Sequence, residues 1–328
     1  MVTIITPLHN KGAYVAETLN SIISQTYQDW EVLVVENHSS DEGPAVAKKY
    51  SSQDRRIRFI EAPIDVKGPG AARNFAFQFA KGDWILYLDA DDKIKPSYLH
   101  QMLEFSKINP EFDMLVAPWR LFQDDGYVSS LITHEVYGKS KIELLVYSIA
   151  RVPWHICSAL IKRRLINESS WAVSMDKLIA EDGAFWFPII NSANVGWTDI
   201  DGALYMVGLP SSRGNSSDSL KWALGMQETV ELNLRFLQNN GLEPVNEQCI
   251  ACMDVFEERY WICYRTKATK AESICLYNAN KWFKKIKNNN TKILLRKIFG
   301  IKKSLIIEKI FLRILNKTNK SKVSVFKK

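Results

Sequence analysis

The feature that most constrains this chain is an apolar run that ends directly in a cluster of acids. Residues 84–88 read Trp-Ile-Leu-Tyr-Leu and are followed without a spacer by Asp89, Ala90, Asp91 and Asp92. A run that is apolar on both faces predicts a central strand of a parallel sheet covered by helices. Ligands bind such sheets at the carboxyl ends of the strands, so we expect the three carboxylates to lie at a binding edge.

Oxygen ligands on a short turn favour Mg²⁺ or Mn²⁺. These ions usually take one or two protein carboxylates and fill their other positions with water and substrate phosphate. The competing interpretation is an acidic turn that caps the helix beginning near Pro96, because Asp is favoured in turns and at helix N-termini. The run by itself leaves both interpretations open.

Short β-branched runs alternate with helical patterns in the first hundred residues. The predicted strands are residues 2–6, 30–36, 57–61 and 84–88, and the predicted helices are residues 14–25, 44–50 and 71–81, the last closed by Gly82 as a C-cap. This alternation predicts an α/β fold with a Rossmann-like, mixed but mostly parallel sheet. A Ser, Gly and Asn-rich loop ends near residue 218, and the pattern is helical afterwards. We therefore predict an α/β domain over residues 1–215, a helical appendage over residues 216–285 and a separate tail over residues 286–328.

The predicted tail is strongly basic. Residues 281–328 contain 16 Lys or Arg and one acid, Glu308, whereas the first 280 residues contain 27 Lys or Arg against 35 Asp or Glu. Apolar residues alternate with the lysines at roughly helical spacing, which is typical of an amphipathic helix on an anionic membrane surface. A docked helix with solvated lysines is the alternative. Nucleic acid is the least favoured partner, because no nucleic-acid-binding motif accompanies the charge.

Cysteine usage and the amino terminus bear on the compartment. The five cysteines form an odd and sparse set, which argues against a disulfide framework and fits a reducing compartment. The chain opens in a predicted strand without a charged-then-apolar leader, and it contains no run of about 18 apolar residues. We therefore expect a cytoplasmic protein that is peripheral at the inner face of the cell membrane.

Further polar residues follow the first two predicted strands. His9 and Asn10 follow the first, and residues 36–41 follow the second, where a nucleotide rests in a doubly wound sheet. Residues 68–70, Gly-Pro-Gly, open a helix that carries Arg73, so they offer backbone N–H groups and a cation to a phosphate. Each feature has a plain alternative as a turn or a helix cap.

Two adjacent acids stand much later in the chain. Glu181 and Asp182 precede Gly183 and the aromatic residues Phe185 and Trp186. A carboxylate beside aromatic bulk is desolvated, which raises its pKa toward that of a general base. An acidic helix start is the alternative.

In this order the motifs closely resemble glycosyltransferase family 2, which has the GT-A fold. The matching segments are, in chain order, Thr6-Pro7-Leu8-His9-Asn10, residues 21–27, the acidic turn at residues 36–41, Ala72-Arg73-Asn74, Asp89-Ala90-Asp91, residues 154–166 and Glu181-Asp182. The resemblance covers about residues 1–215, and the ordered set is highly specific.

The resemblance implies a GT-A nucleotide-diphospho-sugar transferase fold with a C-terminal helical appendage. It implies inverting transfer of a hexose or N-acetylhexosamine from a nucleotide-diphosphate sugar, with a UDP-sugar favoured. The implied acceptor is a saccharide, and together with the basic tail we expect a polyprenyl-diphosphate-linked intermediate of surface polysaccharide synthesis, such as O-antigen or capsule. The implied cofactor is Mn²⁺ or Mg²⁺.

The resemblance also assigns roles to individual residues. Asp182 would be the catalytic base, and Asp91 with Asp89 would hold the metal on the two donor phosphates. Arg73 would contact the diphosphate and Arg213 would close on it. The implied donor-binding residues are Pro7, His9, Asn10, Glu36, Asn37, Asp41, Arg73, Asp89, Ala90, Asp91 and Arg213, and the implied acceptor-side residues are Trp154 and Glu181.

Two positions depart from the family's usual text. Asn37 stands where the family usually has a second acid, although its amide carbonyl still accepts a bond from the N–H of uracil. His9 replaces the usual Tyr, and its ring still stacks on a base. These departures weaken the preference for a uridine donor and leave the reaction type unchanged.

Two other classes of function compete with transfer. The first is a metal-dependent nucleotidyltransferase or nucleotide-sugar hydrolase, although residues 9–12, His-Asn-Lys-Gly, are not the Gly-rich loop that such nucleotidyltransferases usually carry. The second is a non-catalytic nucleotide-sugar-binding descendant. The intact acids at Asp89, Asp91, Glu181 and Asp182 argue against it.

Overall fold

The chain divides into two compact units. A computed structural model describes residues 1–179, 181–209, 218–287, 300 and 304, and the two units are Met1–Gly241 and Leu242–Lys328. The helix Ser219–Asn239 belongs to the first unit. The division predicted at residues 215 and 285 stays a prediction, and Arg213 and nearly all of the predicted tail lie outside the described residues.

The first unit is built on two sheets. In the described residues the strands are β1 (Val2–Leu8), β2 (Trp30–Glu36), β3 (Ile57–Glu61), β4 (Trp84–Tyr87), β5 (Lys93–Ile94), β6 (Met114–Val116), β7 (Trp119–Phe122), β8 (Ala159–Lys162), β9 (Val195–Trp197) and β10 (Ala203–Met206). Seven of them form one sheet in the order β3-β2-β1-β4-β8-β6-β9, and β5, β10 and β7 form the other.

The described residues also form α-helices. They are α1 (Gly12–Ile23), α2 (Gly43–Gln53), α3 (Pro69–Phe77), α4 (Tyr98–Ile108), α5 (Lys141–Ser148), α6 (Asp182–Ser192), α7 (Ser219–Asn239), α8 (Asn246–Arg265) and α9 (Thr269–Phe283). β3, β2, β1 and β4 are parallel neighbours, and β8 is antiparallel to both β4 and β6. The predicted mixed, mostly parallel α/β sheet with a helical C-terminal region is therefore confirmed.

The strand that carries the acids lies at the centre of the large sheet. β4 has β1 on one side and β8 on the other, and all four of its residues are buried. Its apolar run is buried because helices cover both faces of a parallel sheet. The prediction of a central strand ending in the acidic turn is confirmed.

The end of α3 differs from the sequence prediction. The helix ends at Phe77, with Gln78 as its C-cap, and not at Gly82. A Cβ at Gly82 would lie 2.4 Å from the backbone nitrogen of Thr3, and the Gly82 N–H donates to the Thr3 hydroxyl at 2.8 Å. Gly82 is therefore required because the loop passes close to β1, and it does not cap the helix.

The second unit contains α8 and α9, which pack against each other. Three of the five cysteines lie on α8 and one on α9, and all five are free thiols in buried positions. Among the described residues, no helix combines the length and the hydrophobicity needed to cross a bilayer.

Candidate active site

Three parallel strands bring their polar ends to one edge of the large sheet. Leu8 at the end of β1 pairs with Glu36 at the end of β2, and Ile5 pairs with Tyr87 at the end of β4. The turns that follow these strands therefore lie side by side. This edge collects His9, Asn10, the 37–41 turn and the acidic turn, as the sequence predicted.

Asp41 and Asn10 organise the backbone of this edge. The Asp41 carboxylate accepts hydrogen bonds from the N–H groups of Gly12 at 2.7 Å and Gly43 at 3.0 Å, at the starts of α1 and α2. The Asn10 side-chain oxygen accepts one from the Ser40 N–H at 2.8 Å. Asp41 thus bonds the first amide of each helix and Asn10 bonds the turn after β2. These contacts are the turn and cap alternatives to donor binding, and the donor contacts of both residues stay predictions.

Asn37 and His9 join the first two strands to the loop before α3. The Asn37 amide is 5% exposed; its oxygen accepts from the Gly68 N–H at 2.9 Å and its nitrogen donates to the Val66 carbonyl at 2.9 Å. His9 Nδ1 lies 2.6 Å from the Asn37 carbonyl oxygen. Both groups line the expected nucleotide region, but the Asn37 side chain is already hydrogen-bonded to two backbone groups of the protein.

Two further residues that were predicted to bind the sugar donor lie at the same edge. Pro7 pairs with Val35 within the parallel ladder of β1 and β2. The Glu36 carboxylate accepts a short hydrogen bond from the Ser39 N–H, which closes the turn after β2. Both are therefore placed beside His9 and Asn37.

The acidic turn separates its three carboxylates into different environments. Asp89 is about one-third exposed and accepts from Arg73 Nη2 at 2.6 Å, whereas the Asp91 carboxylate lies 2.6 Å from the Lys11 ammonium. Burial, followed by the charge of Asp89, raises the pKa of Asp91, and Lys11 opposes this shift. Ala90 between them is buried, so only its neighbours present side chains at the edge.

Asp92 faces away from this edge. Its side chain is buried and accepts a hydrogen bond from the Met206 N–H at 2.9 Å, which links the acidic turn to β10 of the small sheet. Burial and then the charges of Asp91 and Asp89 raise its pKa well above the usual value. Asp92 is therefore a structural acid.

Arg73 connects the two acidic motifs. Its guanidinium is 2% exposed, bonded to Asp89 and 3.6 Å from the Glu181 carboxylate. The guanidinium carbon lies 4.2 Å from the centre of the Trp171 ring. Burial by itself lowers the pKa of Arg73, but the Asp89 and Glu181 carboxylates raise it overall, so the residue stays charged. This burial places Arg73 among protein groups, and its contact with a diphosphate stays a prediction.

Asp182 begins α6 with an unusually basic carboxylate. Burial first and the adjacent Glu181 second raise its pKa to about 7, while Arg73 acts in the opposite direction. A carboxylate with a pKa near neutrality is well matched to taking a proton from a hydroxyl group. Glu181 stands at the N-cap position of the helix, so the acidic helix start and the candidate base occur together.

Trp154 lies in the core rather than at the surface of the site. It is 2% exposed and packs edge-on against Trp186 of α6, with ring centres 5.2 Å apart. Its Nε1 atom has no hydrogen-bond partner among the residues that the structure describes. Trp154 therefore supports the helix that carries Asp182, and its direct contact with an acceptor stays a prediction.

Asp89 and Asp91 fit an ion that takes few protein ligands. Among the described residues, no group of three or more His, Cys, Asp or Glu side chains is arranged for a metal. Mg²⁺ and Mn²⁺ sites in phosphate-binding enzymes need only one or two carboxylates, because substrate oxygens and water complete the shell. The Lys11 ammonium against Asp91 shows that this carboxylate accepts a cation at this edge.

The structure brings to the site three residues whose roles the sequence does not predict. Lys11 pairs with Asp91, Asp176 accepts from the N–H groups of Gly70 and Ala71, and Trp171 stacks between Arg73 and α6. Residues 170–177 show neither helical nor strand periodicity, so no sequence pattern identifies their partners. Asp176 also occupies two backbone groups that were expected to be open to a phosphate.

A family model matches residues 3–168, which is half of the chain. The model is described as glycosyl transferase family 2. This chain belongs to glycosyltransferase family 2. The family-2 match contains Arg73, Asp89 and Asp91, while Glu181 and Asp182 lie beyond its end.

Curated family-2 relatives match mainly the first part of the chain. It is 34% identical over 110 residues to the poly(ribitol-phosphate) beta-glucosyltransferase of Bacillus spizizenii, covering 33% of this chain and 17% of that protein. It is 33% identical over 105 residues to a putative teichuronic acid biosynthesis glycosyltransferase, TuaG, of Bacillus subtilis, covering 32% and 41%. The chain thus matches less than half the length of these relatives.

Solved structures extend the likeness in fold. Residues 1–349 of S. aureus TarS, in complex with UDP-GlcNAc, superpose with a TM-score of 0.55 and 16% identity, covering 88% of this chain and 93% of that one. The mannosyltransferase PcManGT from Pyrobaculum calidifontis, in complex with GDP-Man and Mn²⁺, gives a TM-score of 0.50 and 16% identity, covering 85% and 75%. The fold of this family-2 chain is the GT-A fold.

Proposed function

We propose that this chain is a metal-dependent, inverting glycosyltransferase that moves a hexose or N-acetylhexosamine from a nucleotide-diphosphate sugar, preferably a UDP-sugar, to a saccharide. One observation carries the proposal: the buried guanidinium of Arg73 links Asp89 of the predicted donor site to Glu181, beside Asp182, in one charge network. The network supports the proposal because Asp182, the candidate base with a pKa of about 7, is next to Glu181 in sequence.

The residues divide the reaction between them. Asp182 removes the proton of the acceptor hydroxyl as its oxygen attacks the anomeric carbon, and the nucleoside diphosphate leaves from the opposite face. Asp91 and Asp89 would hold Mn²⁺ or Mg²⁺, which neutralises the charge of the departing diphosphate when bound. No second carboxylic acid is needed, because the diphosphate leaves without a proton.

The comparisons support the donor and the metal as a class. The TarS structure is described in complex with UDP-GlcNAc, and the PcManGT structure in complex with GDP-Man and Mn²⁺. The names of the two Bacillus relatives refer to polymers, a poly(ribitol-phosphate) and teichuronic acid. For this chain we propose as acceptor a polyprenyl-diphosphate-linked saccharide used for surface polysaccharide at the inner face of the membrane.

Two substitutions test the division of roles. Asp182→Asn should lower kcat by about 10²–10⁴-fold, the usual contribution of a general base, and leave UDP binding unchanged. Asp91→Asn should abolish Mn²⁺-dependent UDP binding as well as transfer. Asp65→Asn, at an exposed carboxylate before α3, is the matched control and should behave as wild type. Transfer is measured by mass spectrometry with a panel of nucleotide sugars and a diphosphate-lipid saccharide acceptor, and UDP binding by calorimetry.

Other products would identify another function. Pyrophosphate released from a nucleoside triphosphate would indicate a nucleotidyltransferase, and free sugar with no acceptor product would indicate a hydrolase. Donor binding without turnover in the wild-type protein would indicate a binding protein. Full transfer by either Asp91→Asn or Asp182→Asn would refute the proposed mechanism.

A further inference from the structure

The start of α3 is bonded to a segment that precedes the candidate base. The Asp176 carboxylate accepts hydrogen bonds from the N–H groups of Gly70 at 2.7 Å and Ala71 at 2.9 Å. These two amides belong to the first turn of a helix, where N–H groups have no partner within the helix. A carboxylate at this end is further stabilised by the helix dipole. Asp176 therefore caps α3 from about a hundred residues away in sequence.

A second pair of hydrogen bonds joins the same two segments. The Asn74 side chain donates to the Trp171 carbonyl oxygen at 2.8 Å and accepts from the Trp171 N–H at 3.0 Å. Asn74 is buried, so both ends of its amide need partners. With the Asp176 bonds, four hydrogen bonds fix residues 171–177, here called the strap, along the first two turns of α3.

The strap is packed against α6 as well. The Trp171 ring stacks on Phe185 of α6, with ring centres 4.2 Å apart and the planes 8° from parallel. The Arg73 guanidinium carbon also lies 4.2 Å from the centre of the Trp171 ring. Phe185 lies one helical turn after Asp182, so the position of Trp171 sets the position of the helix start that carries the base.

Gly68 and Gly70, in the loop that opens α3, leave space for the Asp176 side chain. A Cβ at Gly70 would lie 2.8 Å from Asp176 Oδ1, and one at Gly68 would lie 2.4 Å from the Asp176 Cβ. Gly68 also has a φ of 97°, which favours glycine. The Gly-Pro-Gly segment therefore leaves space for the carboxylate of Asp176.

We propose that Asp176 and Asn74 are positioning residues, which hold Asp182 in register with the donor-side carboxylates by tying the strap to α3. The inference rests on the proposed transfer reaction. It assigns the Gly-Pro-Gly loop to positioning of the acceptor side, in place of binding a donor phosphate. Loss of the tie acts on the chemical step, because a displacement of about 1 Å in a reacting group lowers the rate by as much as about 10²-fold.

The first test separates turnover from donor binding. Asp176→Ala removes both acceptor oxygens; we expect kcat to fall at least about tenfold, while the KM for the donor and the Kd for UDP with Mn²⁺ stay within about twofold. Glu168→Gln, an exposed carboxylate in the same connecting region, is the matched control and should retain wild-type kcat. An unchanged kcat would overturn the proposal. Tighter UDP binding would also overturn it, because the freed amides would then be serving a phosphate.

A second variant approaches the tie from α3. Gly70→Ala favours the helix by propensity, yet its Cβ displaces the Asp176 carboxylate, so kcat should fall as in Asp176→Ala. In the double variant Gly70→Ala with Asp176→Ala, kcat should be no lower than in Asp176→Ala. Additive losses would show that Gly70 acts independently of Asp176 and would contradict the tie.

A third measurement does not depend on catalysis. Hydrogen exchange followed by mass spectrometry should show faster exchange in peptides over residues 69–75 and 171–179 of Asp176→Ala, with circular dichroism unchanged. Equal exchange in the variant and the wild type would refute the tie. If the wild type transfers no sugar from any donor, the proposed function fails, while the exchange result still decides whether the strap is held by Asp176. If Asp176→Ala does not fold, Asp176→Asn and Gly70→Ala carry the same measurements.

Discussion

Arg73 is the residue at which the predicted donor side and the predicted acceptor side of the site meet. Its guanidinium contacts Asp89 at the end of β4 and lies near Glu181 at the start of α6. A buried cation that neutralises acids from two elements is costly to remove, because the acids are then left without a counter-charge. The charge of Arg73 therefore supports the proximity of these carboxylates.

The carboxyl group of Asp182 gives the proposed enzyme a predictable pH dependence. Its folded pKa is raised to about 7 by burial and by Glu181, whereas an unperturbed Asp titrates near 3.9. The base acts in its ionised form, so kcat with saturating donor and metal should rise about tenfold per pH unit below pH 7 and level off above it. The measurement is a kcat profile between pH 5 and 9.

One control variant accompanies the pH profile. Asp65→Asn should leave the acidic limb in place, and a flat wild-type profile between pH 5 and 7 would contradict the role of Asp182.

The raised pKa of Asp182 also predicts how stability depends on pH. Because the folded pKa is the higher one, the folded state binds the Asp182 proton between about pH 4 and 7, so ionisation of Asp182 destabilises the fold as pH rises through that range. Asp182→Asn should therefore raise Tm at pH 8.

At the scale of elements, runs with a single clear period were predicted well and connections were not. β1 to β4 are rich in β-branched and aromatic residues and lie between turn signals, and their predicted positions agree with the structure to within two residues. The predicted end of α3 was wrong, because helical periodicity in the sequence runs past Phe77. The close contact that explains Gly82 is with Thr3, which is distant in sequence.

Gly82 should be intolerant of even a small side chain. In Gly82→Ala the Cβ would meet the Thr3 nitrogen at 2.4 Å, so β1 or the loop must shift. The Thr3 hydroxyl, which accepts from Gly82 and donates to Glu31, would shift with it. We expect the free energy of unfolding to fall by about 1–3 kcal/mol, as for other overpacked sites, measured by urea denaturation.

The neighbouring exposed Lys81 provides the control. Lys81→Ala adds nothing against Thr3 and should change the free energy of unfolding by no more than about 0.5 kcal/mol. If Gly82→Ala is as stable as Lys81→Ala, the close approach to β1 is not a constraint on this position.

At the scale of the whole molecule, the charge of the chain is concentrated at its carboxyl end. Residues 281–328 carry 16 Lys or Arg, and the prediction that they form an amphipathic helix falls almost wholly outside the described residues. Deletion of residues 290–328 should release the protein from anionic vesicles, because each basic residue near such a surface contributes about 1 kcal/mol. Vesicle sedimentation at low and high salt measures this binding.

The deletion should leave catalysis by the first unit largely intact. Transfer to a soluble acceptor analogue is the matched measurement, and neutral vesicles are the lipid control. Vesicle binding that is unchanged by the deletion would contradict a membrane-surface tail. Binding to neutral and anionic vesicles alike would contradict its electrostatic basis.

The sequence by itself determined the local elements and the chemical inventory of the site. The apolar run before Asp89 specified a buried strand, and the ordered motifs from Pro7 to Asp182 specified the family, because both depend on neighbours in sequence. The tertiary structure decided which of these groups already have partners within the protein. It buried Arg73 among acids, gave the amides of α3 to Asp176 and raised the pKa of Asp182, because burial and partner choice depend on segments far apart in the chain.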